Sequence, residues 1–169
     1  ELFGSQVGSG HYLSGVLLSN QTATSLYYPH LASDSMWWTG LVAYNPNSTS
    51  ADLTITPYDT QGTALGSIPV TLAAGAKYIG TAAGLNFSSG TAWFKVDSTQ
   101  PVTGFELFGT RDTKQLAGYS TVNIKTTQGV LAKLDMEGWT GVAFVNSTNS
   151  AASVTLTAKN DSGNTIATS

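Results

Sequence analysis

The chain has 169 residues, a net charge of −3 and no Cys, with 10% charged against 41% hydrophobic residues. Its basic residues (Lys77, Lys95, Arg111, Lys114, Lys125, Lys133 and Lys159) are scattered, so no basic stripe exists to neutralise a phosphate backbone, which argues against nucleic-acid binding. Lack of Cys removes disulfide frameworks and thiolate metal sites, and no apolar run reaches the length of a membrane-spanning helix, so no membrane insertion is expected.

Polar positions are filled instead by 24 Thr and 19 Ser. Thr suits a pleated, half-exposed strand because its β-branch restricts χ1. This composition fits an extracellular β-protein better than a cytosolic enzyme. The chain begins at Glu1 inside a strand-like run, which points to a mature or excised piece.

Further along, short β-type runs alternate with turn signals. The apolar run 38–44 ends at Asn45-Pro46-Asn47, a strong turn. Residues 52–58 alternate, with Leu53 and Ile55 on one face and Thr54 and Thr56 on the other. Asp59-Thr60-Gln61-Gly62 reads as a hairpin loop whose Gly supplies the positive φ. The runs 65–72, 77–81, 91–96, 102–108 and 116–122 follow, with turns at Ala73-Ala74-Gly75, Ser88-Ser89-Gly90 and Ser98-Thr99-Gln100-Pro101. The one weak helical candidate, Ala82-Ala83-Gly84-Leu85, reads as a turn. About seven short strands, each with one apolar face, need a second layer to bury that face. The expected fold is all-β: an antiparallel β-sandwich of immunoglobulin or fibronectin type, with a closed barrel as runner-up.

The chain also repeats itself. A shift of 101 residues places Asp34 on Asp135, Trp38-Thr39-Gly40 on Trp139-Thr140-Gly141, Asn45 on Asn146, Ala51 on Ala152, Thr54 on Thr155, Thr56 on Thr157 and Gly62 on Gly163. Most other apolar positions there change like for like, as Leu53 to Val154 and Ile55 to Leu156. A second match places Glu1-Leu2-Phe3-Gly4 on Glu106-Leu107-Phe108-Gly109, and Leu13, Gly15 and Asn20 on Leu116, Gly118 and Asn123. The small drift in offset reflects loop-length changes. The tandem unit is about 100 residues long. Residues 1–23 read as closing strands of a preceding module, 24–123 as a complete module, and 124–169 as opening strands of a following one, the two ends being suited to pair with each other within one chain or between chains.

The string Tyr27-Tyr28-Pro29-His30-Leu31-Ala32, with Trp37-Trp38-Thr39-Gly40, Asn45-Pro46 and the Asp59 to Gly62 turn, resembles repeated β-sandwich modules of bacterial secreted or cell-surface proteins. The third copy departs from that pattern: Ala132-Lys133 replaces Pro29-His30, and Ser147 replaces Pro46. The resemblance implies an exported, multi-module chain and carries no catalytic residues to transfer.

Candidate chemistry is sparse. His30 aligns with Lys133 and His11 with Lys114, so neither is a ligand shared between copies. Glu1 and Glu106 are one position in two copies, and alternation with Leu107 turns Glu106 to solvent or to a strand-edge partner. No Ser sits in a nucleophile elbow, and the Gly residues punctuate turns rather than forming a phosphate loop. The turns at Asp59 and Asp161 offer too few carboxylates for Ca²⁺.

Aromatic residues give the best functional alternative. Trp38 recurs as Trp139 and suits a core plug, whereas Trp37 falls on Gly138 and is the candidate for an exposed contact, with Tyr27 and Tyr28 beside it. The function expected is a non-enzymatic structural or adhesive module, secreted or on the cell surface, without a cofactor. Its expected partners are neighbouring modules or identical chains joined by strand pairing. A carbohydrate-binding module acting on a polysaccharide is the alternative, and an accessory domain of a secreted enzyme a distant third.

Overall fold

A computed structural model describes residues 2–7, 10–16, 20–123, 125–132 and 140–169. Its strands are β1 (Leu2–Val7), β2 (Gly10–Gly15), β3 (Ala23–Tyr28), β4 (Trp37–Tyr44), β5 (Ala51–Tyr58), β6 (Ile68–Leu72), β7 (Lys77–Thr81), β8 (Trp93–Thr110), β9 (Leu116–Ser120), β10 (Thr157–Lys159) and β11 (Thr165–Thr168). Every pairing is antiparallel, and no helix occurs among the described residues. The chain is all-β. Residues 82–86 form a turn, as expected from the sequence.

Strands β3 to β9 form one seven-stranded sheet with the order β6-β5-β8-β4-β7, and β3 and β9 add to β8. The 18 residues of β8 organise it. Its first part pairs with β5 and β3, its second with β4 and β9. The β5 ladder stops at Ser98, opposite Leu53, and the β4 ladder starts at Thr103, opposite Tyr44. On the other side, Ala23 faces Val102 and Ser25 faces Asp97, so β8 carries extra residues between them.

That bulge bends the strand. It also tolerates Pro101, which has no N–H to donate, because the β5 and β4 ladders both skip it. The Ser98–Pro101 turn expected from sequence is therefore a bend within one continuous strand. At the far edge, the Tyr27 and Val122 backbones bond each other at 2.9 and 3.0 Å, tying the chain after β9 back to β3. The sheet thus curls into a half-barrel.

Its concave side holds the core: Leu26 and Tyr28 from β3, Leu41 and Ala43 from β4, Ala51, Leu53 and Ile55 from β5, Leu72 from β6, and Phe94, Val96 and Val102 from β8. Each Leu, Ile, Val or Phe side chain among them contributes roughly 1.5–3 kcal/mol by leaving water. The Tyr28 and Phe94 rings stack at 4.3 Å and 15°. Tyr28 is fully buried and presents no surface to a ligand, which corrects its reading as a contact residue. Its hydroxyl crosses the core to donate to the Val42 carbonyl at 3.2 Å. This fits only because position 104 is Gly: a Cβ there would collide with the Val42 carbonyl and lie 2.7 Å from the Tyr28 hydroxyl.

Outside this sheet lie two hairpins, β1–β2 and β10–β11. In β1–β2, Leu2 faces Gly15, Phe3 faces Ser14 and Gly4 faces Leu13. In β8–β9, Leu107 faces Gly118, Phe108 faces Ala117 and Gly109 faces Leu116. The β10–β11 turn bonds Asn160 N to Asn164 O and Gly163 N to Asn160 O, with Gly163 at φ 82°. After β5, Asp59 N bonds Thr63 O and Gly62 N bonds Asp59 O, with Gly62 at φ 81°. The residues around Asn146 and Asn45 match in the same way. Each side-chain amide donates to a carbonyl four residues on, Ser150 or Thr49, at 2.7 and 2.8 Å. Each amide oxygen accepts the N–H two residues on, from Thr148 or Asn47, at 3.1 Å.

Candidate functional site

Buried polar groups in a β-core carry either function or fold specificity, and one line of them crosses this core. On β4, Thr39, Leu41 and Ala43 alternate inward. Opposite them on β8 stand Phe108, Glu106 and Gly104, which share that inner face. Glu106 is therefore fully buried, between Leu41 on β4 and Tyr119 on β9. Its expected outward orientation is corrected. Leu107 is the residue on the convex side, where a Cβ at Gly118 would meet both Leu107 and Val16. Alternation assigns the two residues to opposite faces without saying that both faces are covered.

Tyr119 donates its hydroxyl hydrogen to Glu106 Oε2 at 2.8 Å and accepts the His30 N–H at 3.1 Å. Glu106 Oε1 has no hydrogen-bond partner among the described residues. Loss of water pushes the Glu106 carboxyl up to about 8, with the Tyr119 hydrogen bond offsetting part of that. Near neutrality the group is mainly neutral. Burial, and then the proximity of Glu106, push the Tyr28 and Tyr119 phenols far above the usual tyrosine value. Burial lowers His30, whose ring meets the Phe108 edge at 4.8 Å and 66°.

Trp37 joins this group, its ring 6.4 Å from Phe108. It is half-buried on the inner-face side of β4, not displayed outward. Trp38 lies on the convex side, where its ring spans Gly40 and Gly109 at 3.2 and 3.3 Å from their added Cβ positions. The core role read for Trp38 thus belongs to the other face. Its counterpart Trp139 lies outside the described residues, as do Glu1, Asp135 and Glu137.

Tyr27 alternates to the convex face of β3, opposite Lys95. Lys95 and Lys125 place their ammonium groups 5.7 and 5.8 Å from its ring centre. Lys95 also pairs with Asp97 at 2.8 Å, and Asp97 accepts the Ser25 hydroxyl at 2.6 Å. Beside them Tyr58 and Trp93 stack at 4.1 Å and 7°. These aromatics therefore engage one another and nearby cations. Only the register of β5 on β8 makes Tyr58 and Trp93 neighbours.

A cleft of about 340 Å³ opens between residues 31–34 and 87–91. Its carboxylate, Asp34, is committed to the Met36 and Trp37 N–H groups at 2.7 and 2.8 Å, which hold it below its ordinary value. The rest of the lining is apolar or hydroxyl-bearing. Among the described residues no cluster of three or more His, Asp or Glu side chains could hold a metal ion. The arrangement offers hydrogen bonding and packing.

No family model matches this chain, and no curated protein matches it. Among solved structures, the crystal structure of Thermotoga maritima 1070 is similar with a TM-score of 0.52 at 12% identity, over 62% of this chain and 96% of that one. At that identity the likeness concerns the β-fold alone.

Proposed function

We propose that this chain is a non-enzymatic structural or adhesive stretch of the cell exterior, built from β-sandwich modules of about 100 residues in tandem. The observation that carries this reading is local geometry recurring at the spacing of the sequence repeat. The Asn45 and Asp59 turns reappear at Asn146 and Asn160, and the β8–β9 register reappears in β1–β2. Turn chemistry and register are set locally, so they recur in each copy independently of the rest of its module. The matched share of the chain, 62% of 169 residues, is about one module long, and it spans nearly all of the similar structure. The two halves of the curled sheet then act as the layers of one sandwich around residues 24–123.

Such modules need reach and folding autonomy rather than chemistry. The engaged aromatics and the committed Asp34 agree with that role. Single-molecule stretching tests it. A module of about 100 residues releases roughly 330–360 Å of extended chain in one step. One cooperative event releasing the whole chain, roughly 560–610 Å, refutes the modular reading.

A carbohydrate-binding role draws on a different observation, the convex patch of Tyr27, Tyr58 and Trp93 beside Lys95 and Asp97. It moves the candidate contact away from Trp37. The mutual stacking of Tyr58 and Trp93 leaves less ring surface for a sugar, which favours the structural reading.

A further inference from the structure

We infer that β9 is a proton-controlled flap: it closes the half-barrel while Glu106 is protonated, and it swings out to let the carboxylate reach water.

Glu106 is a fully buried carboxyl whose Oε2 accepts the Tyr119 hydroxyl at 2.8 Å. Among the described residues, the ionisable groups around it are Tyr28 from β3, Tyr119 from β9, and His30 from the β3–β4 connection, whose N–H Tyr119 accepts. β4 presents Thr39, Leu41 and Ala43 on that side, and none of them ionises. No Lys or Arg among the described residues pairs with Glu106. Burial holds His30 below its ordinary value and both phenols far above theirs, so none of these groups carries charge between pH 6.5 and 8. A carboxylate here would have neither water nor a counter-charge, and the closed arrangement therefore requires the proton.

For the group to ionise, a covering strand has to move, and the three differ in how firmly they are held. β4 lies between β7 and β8, with Leu41 and Ala43 in the core. β3 holds Leu26 and Tyr28 in the core, the latter stacked on Phe94. β9 is half-buried at each of its five residues, puts none of them into the apolar core, and joins the sheet through β8. Beside it lies β2, in a sheet of its own. After β9, the Thr121 N–H donates to the Gly104 carbonyl at 3.2 Å, and the Tyr27–Val122 pair closes the half-barrel. An outward swing of β9 breaks these bonds and the one between Tyr119 and His30, yet leaves β3 to β8 paired. That is a local opening, not global unfolding.

Amide hydrogen exchange on the whole chain at pH 6.5 and 7.5, with each rate divided by its intrinsic value, reads this opening. Burial holds the closed carboxyl at about 8, against 4.5 in water. Ionisation in the open form alone therefore raises the open population about eightfold over that one unit. Protection at Tyr27, His30, Thr121 and Val122 should fall by this factor. It should also lie below that of Leu53 and Ile55, which β6 and β8 hold from both sides. In Glu106→Gln the fall should vanish. Seam protection that ignores pH in the parent chain overturns the inference. So does seam protection equal to that of Leu53 and Ile55, because the opening is then global. A fall that persists in Glu106→Gln belongs to another group and overturns it as well. The parent chain decides the first two outcomes even if the variant does not fold.

Discussion

Replacing Glu106 by Gln should flatten the pH dependence of stability and strengthen the protein at and above neutral pH. The folded carboxyl holds its proton up to about pH 8, against 4.5 when unfolded. Below pH 4.5 both states are protonated and the group costs nothing. Between 4.5 and 8 the unfolded chain ionises while the folded one does not, so stability falls by about 1.4 kcal/mol per pH unit. Above 8 the folded group ionises too, and the loss levels off. The stability present at low pH is therefore lost as pH rises through the folded value. Across the window the loss is on the order of 5 kcal/mol, a large fraction of a typical domain's total. A Gln has no such titration, and its amide still accepts the Tyr119 hydroxyl that now bonds Oε2. Denaturant unfolding followed by Trp fluorescence at one-unit steps from pH 5 to 9 gives both curves. The reasoning holds if the variant's advantage grows by about 1 kcal/mol or more per unit up to pH 8. Parallel curves for the two proteins refute it.

Two further outcomes separate the copies and the candidate surfaces. Leu53→Ala should cost about 2–5 kcal/mol, because Leu53 is core. The matching change Val154→Ala, at an exposed position, should stay within about 0.5 kcal/mol in dilute monomer, as denaturant midpoints will show. A large cost at Val154 would mean that 140–169 already folds onto a core. Retention on insoluble polysaccharides should be absent and unchanged by Trp93→Ala or Trp37→Ala. Retention lost in Trp93→Ala alone would move the function to the convex patch, and lost in Trp37→Ala alone to the concave one.

How much of this was legible in the residues differs by element. Strand β7 and the alternating face of β5 could be read directly, because alternation and Gly- or Asn-bearing turns are local signals. β3 was not, since Ala23–Tyr28 lies within a run bearing no clear flanking turn, and its partner on β8 is about 70 residues away in sequence. The Ser98–Pro101 bend was misread because a Pro beside polar residues has the same local signature in a turn as in a bulge.

The candidate site was the least legible part. Which side of Trp37/Trp38 and of Glu106/Leu107 meets the core depends on the curl of β8 and on what covers the convex side. Period-two alternation separates faces; it does not say which one is dry. The sequence alone determined the β-class and the hairpin turns, which depend on residues close together in the chain. Only tertiary structure placed Glu106 and Tyr28 inside and left Val142 to Leu156 open, because burial is a property of the strands that come to lie on top.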